Sequence, residues 1–156
     1  MGNINPAEYI SMNGLCKNID DEIGIYAIIM NDDQVLYVGQ AKKMRTRVTT
    51  HFDHALNNRG RYKYTLLHEA INHGNRIDCV RLDICKANQL NSLEKFYIAK
   101  YKINRRKYPP LNFLFFKNKD NYSYDDFIRD LNVYTPLTSS EPVSIEPDQI
   151  EVVDKP

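Results

Sequence analysis

The stretch from Gly24 to Phe52, GIYAIIMNDDQVLYVGQAKKMRTRVTTHF, decides the fold. Its first half predicts a β-hairpin and its second half a helix. Ile25 to Met30 and Val35 to Val38 are apolar runs rich in β-branched residues and tyrosine, and Asn31, Asp32, Asp33 and Gln34 between them are turn formers. A two-residue loop at Asp32 and Asp33 pairs Asn31 with Gln34, Ile28 with Tyr37 and Tyr26 with Gly39. Directly paired residues share a face of a sheet, so Tyr26 and Tyr37 project from one side and Gly39 leaves room beside the Tyr26 ring. A one-residue change in loop length would shift that register.

Working outward, the helix is predicted from about Lys43 to Leu56 and is ended by Asn57-Asn58-Arg59-Gly60. At about 3.6 residues per turn, Met44, Val48, His51 and Ala55 share one face, with Arg47 at its edge and pointing the same way as His51. Tyr64 to Asn72 reads as a second helix, stopped by His73-Gly74. Arg76 to Cys85 reads as a third strand, whose alternation breaks at Cys79-Val80, where a bulge would fit. Asn91 or Ser92 is placed to cap a third helix with an apolar face of Leu93, Phe96, Tyr97, Ile98 and Tyr101, and Glu94 lies one turn before Ile98. Pro109-Pro110 ends any helix and leads into Leu111-Asn112-Phe113, and a last helix is predicted from Tyr122 to Leu131.

The fold class that follows is α+β, a small three-stranded antiparallel sheet flanked by helices. The chain divides into an N-terminal extension (1–22), a central domain (23–117), a C-terminal helix (118–134) and a tail (135–156). The extension has a helix-sized segment around Ala7 to Ser11 and an acidic approach, Asp20-Asp21-Glu22, to the first strand; its expected role is to pack beside the sheet or to make a dimer contact. The tail, with four prolines and five acids against one lysine, is expected to be disordered. It serves either solubility or competition with phosphates for the basic surface.

At 156 residues, 42% of them hydrophobic, the chain fits one domain with an ordinary core. A mean hydropathy of −0.55, with no apolar run of membrane-spanning length and no basic-then-apolar leader, predicts a cytoplasmic protein without membrane contact. Cys16, Cys79 and Cys85 are an odd count without a CxxC, which argues against a disulfide framework or a cysteine zinc site. His51 and His54 lack the partners a zinc site would need. The net charge of +1 hides an uneven distribution: residues 23–117 carry seventeen Lys and Arg against seven acids, between acidic ends. A basic middle suits a polyanionic partner, although solvated helix faces account for many charge runs.

Gly24-Ile25-Tyr26, ten intervening residues, then Tyr37-Val38-Gly39 resembles the GIY-YIG nuclease family, with valine for the middle isoleucine. Arg47 and His51 on the next helix, Glu94 in LEKFYI and Asn112 in YPPLN follow at matching distances, so the resemblance covers roughly residues 23 to 114. It implies a nuclease fold of the class just described and a catalytic set of Tyr26, Tyr37, Arg47, His51 and Glu94. In that set Glu94 holds a single divalent metal (Mg2+, with Mn2+ as the alternative), and Tyr26 acts as general base through water. Arg47 binds the scissile phosphate, Tyr37 orients water or phosphate, and His51 relays a proton, touches phosphate or simply bonds within its helix. Gln40, Lys42, Arg45 and Asn112 are expected at the substrate, with Asn112 also suited to holding backbone geometry. Gln40 departs from the small hydroxyl or basic residue common after the second motif.

Each residue also has an ordinary reading: sheet-facing aromatics for the tyrosines, a surface carboxylate for Glu94, and one cation among many for Arg47. Jointly they point to a compact stand-alone endonuclease on duplex DNA, of a restriction-like or phage-encoded sort, with a homodimer or higher oligomer if both strands are cut. A silent nucleic-acid-binding module and a homing or repair-type nicking nuclease working with a partner are the alternatives. A binder would have no need of a carboxylate among cations.

Overall fold

The computed structural model of the chain describes residues 19–59, 62–101, 109–112 and 123–131. The predicted segment around Ala7 to Ser11 and the acidic tail lie outside the described residues. The elements, in order, are β1 (Gly24–Met30), β2 (Gln34–Ala41), α1 (Met44–Leu56), α2 (Tyr62–Asn72), β3 (Ile77–Ile84), a single 3-10 turn (Ala87–Gln89), α3 (Leu90–Lys100) and α4 (Tyr124–Leu131). The sheet is antiparallel with strand order β2-β1-β3, and the helices flank it. This is the α+β architecture the sequence predicts. Among the described residues no helix is long and apolar enough to cross a membrane.

Central β1 is buried at all seven positions, which is why its sequence is almost continuously apolar. The predicted pairs Ile28 with Tyr37 and Tyr26 with Gly39 both occur, but by another route. Met30, not Asn31, pairs with Gln34, so the loop has three residues, Asn31 to Asp33; an irregularity between Ile28 and Ile29 then leaves Leu36 as an extra residue in β2. The longer loop shifts the register by one and the bulge shifts it back. Asn31 and Asp32 sit in the loop at φ 52° and 74°, a left-handed conformation that short polar side chains tolerate.

In β3 the irregularity falls opposite Ile25/Tyr26, at Leu82, and not at Cys79-Val80. Ile77 to Val80 are all buried, Asp78 among them with its carboxylate beside the exposed Arg76 guanidinium (3.4 Å), so this half of β3 is enclosed on both faces and the alternation is lost. α2 ends as expected, with Gly74 at φ 87° and Asn75 N donating to the Ala70 carbonyl (3.1 Å). α3 begins earlier than predicted, after Lys86 N donates to Gln89 Oε1 (3.0 Å), so Asn91 and Ser92 lie inside its first turn. Its buried residues are Leu90, Glu94, Ile98 and Ala99, with Tyr101 buried just beyond its end, while Phe96 is exposed.

Candidate active site

The two tyrosines come from neighbouring strands. Their placement on one face by the restored register brings the ring centroids to 6.3 Å. Gly39 is required here: a Cβ built on it would stand 2.5 Å from Tyr26 Cζ and 2.9 Å from Tyr37 Cε2, so a side chain would evict one ring.

α1 delivers Arg47 and His51 one turn apart. Its N-terminus is held by the acidic approach to β1, since Lys43 makes no side-chain cap. Met44 N donates to the Glu22 carbonyl (3.1 Å) and Arg45 N to the Asp20 carbonyl (3.2 Å). Asp21 accepts from Thr46 N at 2.8 Å and from Thr46 Oγ1 at 2.9 Å. Three orphan amides are thus satisfied by residues 20–22, which gives that segment a role the sequence reading did not assign. The Thr46 bonds, aided by Lys43 and Arg45, hold the Asp21 carboxyl below the usual carboxylate range.

The helix so placed drives His51 into the sheet. Its Nε2 lies 2.5 Å from the Tyr26 hydroxyl and its Nδ1 2.7 Å from the Tyr64 hydroxyl of α2. Arg47 is half-buried and hydrogen-bonds Tyr26; burial acts to lower its guanidinium, but the facing phenols of Tyr26, Tyr37 and Tyr64 prevail and the net direction is upward. Glu94 is wholly buried on the inner face of α3, which removes the surface-residue reading. Its charge, after burial itself, pushes the Tyr37 phenol well above its ordinary range, with Arg47 pulling the other way. The two tyrosines are therefore unlike. Tyr37 is held neutral beside a carboxylate, and Tyr26 sits between an imidazole and a guanidinium.

Tyr26, Tyr37, Arg47, His51 and Glu94, far apart in the chain, are thus brought together. The four residues expected at the substrate are placed more diversely. Gln40 donates to Asn91 Oδ1 (2.9 Å) at an exposed rim between β2 and α3, and Lys42 is exposed just before α1. Arg45 donates to the Ile19 carbonyl (3.1 Å) and remains exposed. Asn112 is buried, with its amide paired to both backbone groups of one residue: Oδ1 accepts from Val38 N (2.8 Å) and Nδ2 donates to Val38 O (2.9 Å). It extends the edge of β2 and fixes the middle residue of Tyr37-Val38-Gly39, the backbone role among its two expected ones.

Two residues were not anticipated. Lys63 is buried with its ammonium 4.1 Å from the Tyr37 ring centroid and 5.0 Å from that of Tyr64, and Tyr64 is the second partner of His51. The available signal was periodicity: a helix beginning at Tyr62 puts Lys63 on the stripe of Leu66, Leu67 and Ala70, and a lysine on an apolar stripe is worth asking about.

No curated protein and no solved structure matches the chain. A family model described as the GIY-YIG catalytic domain matches residues 22–108, which spans all three strands and the residues gathered around Tyr26, apart from Asn112 at the sheet edge. With more than half of its length matched and the two tyrosines, arginine, histidine and glutamate of the motifs converging in space, the chain belongs to the GIY-YIG nuclease family.

Proposed function

We propose that this nuclease is a metal-dependent endonuclease that hydrolyses phosphodiester bonds of duplex DNA. The observation that carries the reading is the wholly buried Glu94 carboxylate set against the Tyr26–Tyr37 pair with Arg47 and His51. A core carboxylate is costly to keep charged without a cation or hydrogen-bond donor beside it, so one set among motif residues is a candidate functional group.

Among the described residues no group of three or more His, Cys, Asp or Glu comes together, so a cage made wholly of protein is not what this site offers. One carboxylate, with water and phosphate oxygens completing the shell, is a common way to hold Mg2+, and Glu94 fits that arrangement. Such an ion, held by Glu94, supplies charge neutralisation at the phosphate.

The remaining chemistry belongs to side chains. Tyr26 takes the proton of the attacking water, with His51 Nε2 at 2.5 Å to receive its own and the Arg47 charge to favour oxyanion character. Tyr37, kept neutral by burial and Glu94, donates its hydroxyl hydrogen to orient water or phosphate. Arg47 offers its fork to phosphate oxygens as charge grows there. The basic composition of residues 23–117 suits a phosphate backbone, which supports a nucleic-acid substrate.

The deciding experiment is incubation of purified protein with supercoiled plasmid in Mg2+ or Mn2+. Nicked or linear product that disappears in EDTA is expected. Full cleavage in EDTA would overturn the metal, and binding without cleavage under any metal would leave a nucleic-acid-binding module.

A further inference from the structure

The hydrogen-bond path through His51 does not stop at the motif residues. It runs from the wholly buried Tyr26 hydroxyl to His51 Nε2 (2.5 Å), through the ring, and from Nδ1 to the Tyr64 hydroxyl (2.7 Å). Tyr64 is half-buried on α2, so the path leads from the interior toward the surface. Its ring is clasped by His54, edge to face at 4.9 Å, and by the Lys63 ammonium, which explains its position but not the aim of its hydroxyl at an imidazole nitrogen.

We propose that Tyr64 is a positioning residue of the hydrolytic centre: it holds His51 with Nε2 facing Tyr26 as an acceptor, and it is the exit for the proton taken from the attacking water. This rests on the reading of Tyr26 as the base. Tyr26 can pass its proton to His51 only if Nε2 carries none; Nδ1 then bears the imidazole hydrogen and donates it to Tyr64 Oη. The cations near Tyr64, Lys63 and Arg47, favour its oxygen as an acceptor. Burial nevertheless holds the Tyr64 phenol above its ordinary range, so it is protonated at neutral pH and conducts by taking one proton and releasing another.

The step balances. The water oxygen bonds phosphorus as one of its O–H bonds breaks, and that proton goes to Tyr26 Oη. The Tyr26 hydrogen moves to His51 Nε2, the Nδ1 hydrogen to Tyr64 Oη, and the Tyr64 hydrogen to solvent. The P–O bond to the leaving oxygen breaks and that oxygen takes a proton from solvent. His51 ends in the other tautomer and re-equilibrates with solvent between turnovers.

The test is Tyr64→Phe in the full chain, which keeps the ring and deletes the hydroxyl. Nitrogen-15 NMR of the imidazoles should show His51 as the Nδ1-protonated tautomer in the wild type and as a mixture in the variant. Turnover of plasmid should fall on the order of 10- to 100-fold with DNA affinity unchanged. The pH–rate limb belonging to His51 should move, although Tyr26, Tyr37, Arg47, His54, Lys63 and Glu94, which also set it, are untouched. Identical tautomer populations in the two proteins, or a variant with wild-type turnover and pH profile, would overturn the proposal. A wild type that cuts no nucleic acid defeats the nuclease reading alone, because the tautomer measurement still decides what Tyr64 does to His51. Should the Phe variant not fold, the more acidic 3-fluorotyrosine incorporated at position 64 must displace the same pH limb, and an unmoved limb counts against the role.

Discussion

Two carboxylates in the described part of the molecule are wholly buried, and they differ in what surrounds them. Asp78, in β3, lies beside Arg76, which also pairs with Asp32 in the hairpin loop; Arg76 N donates to Asn31 Oδ1 (3.0 Å), and Asn31 N to the Arg76 carbonyl (2.8 Å). Its charge is spent on closing the sheet at the loop end. Glu94, in α3, faces the tyrosine pair, and its charge raises a phenol. Burial alone therefore does not mark a catalytic acid. The difference lies in which groups the charge acts on, a loop-closing guanidinium at Asp78 and a motif phenol at Glu94.

That contrast is open to direct attack, most forcefully at Glu94. Glu94→Gln should reduce cleavage on the order of 1,000-fold while the protein still folds, since the amide keeps the shape of the side chain and removes the charge. Plasmid cleavage and a thermal melt on one preparation suffice; retained activity would put Glu94 in the same class as Asp78. Tyr26→Phe should lower the rate on the order of 100-fold or more. It should also cost about 1–3 kcal/mol, because His51 Nε2 loses its buried partner, and chemical denaturation would detect that. Arg47→Ala should cut turnover roughly 100-fold with a smaller loss of DNA affinity, since other cations remain; equal losses would make it an ordinary binding residue.

At the loop end the expected effects are on stability only. Asp78→Asn should lose about 1–3 kcal/mol in denaturant titration and leave turnover per folded molecule unchanged. The smallest effect belongs to Asp21. Its folded-state carboxyl lies below the unfolded value, so its capping contribution is complete above about pH 4 and is lost as pH falls through the lowered folded value. Asp21→Asn should therefore be slightly less stable at neutral pH, and its melting temperature should fall less steeply with acid. Parallel acid limbs in the two proteins would remove the cap from the account.

Much of this site was legible in the chain because local rules bear on it directly. Turn formers between two β-branched runs define a hairpin, and a spacing of four on an amphipathic helix aligns Arg47 with His51. Even there the agreement over Tyr26 and Gly39 conceals a loop one residue longer than expected, offset by the extra residue at Leu36. Hairpin residues reveal that two strands pair, whereas the bulge depends on how β1 is gripped from both edges at once.

Sequence alone determined the three strands, the pairing that sets two tyrosines on one face, the helix that carries Arg47 and His51, and the family, because each rests on near neighbours or fixed motif spacing. Only the tertiary structure decided which polar groups are enclosed and with whom: Glu94 inside rather than on the surface, Asn112 on the Val38 peptide, Asp21 on the end of α1, and Lys63 and Tyr64 against the motif residues. These are contacts between segments distant along the chain. Their partners are chosen by the need to satisfy every buried donor, acceptor and charge, a condition that acts on the packed whole and leaves little mark on any one stretch.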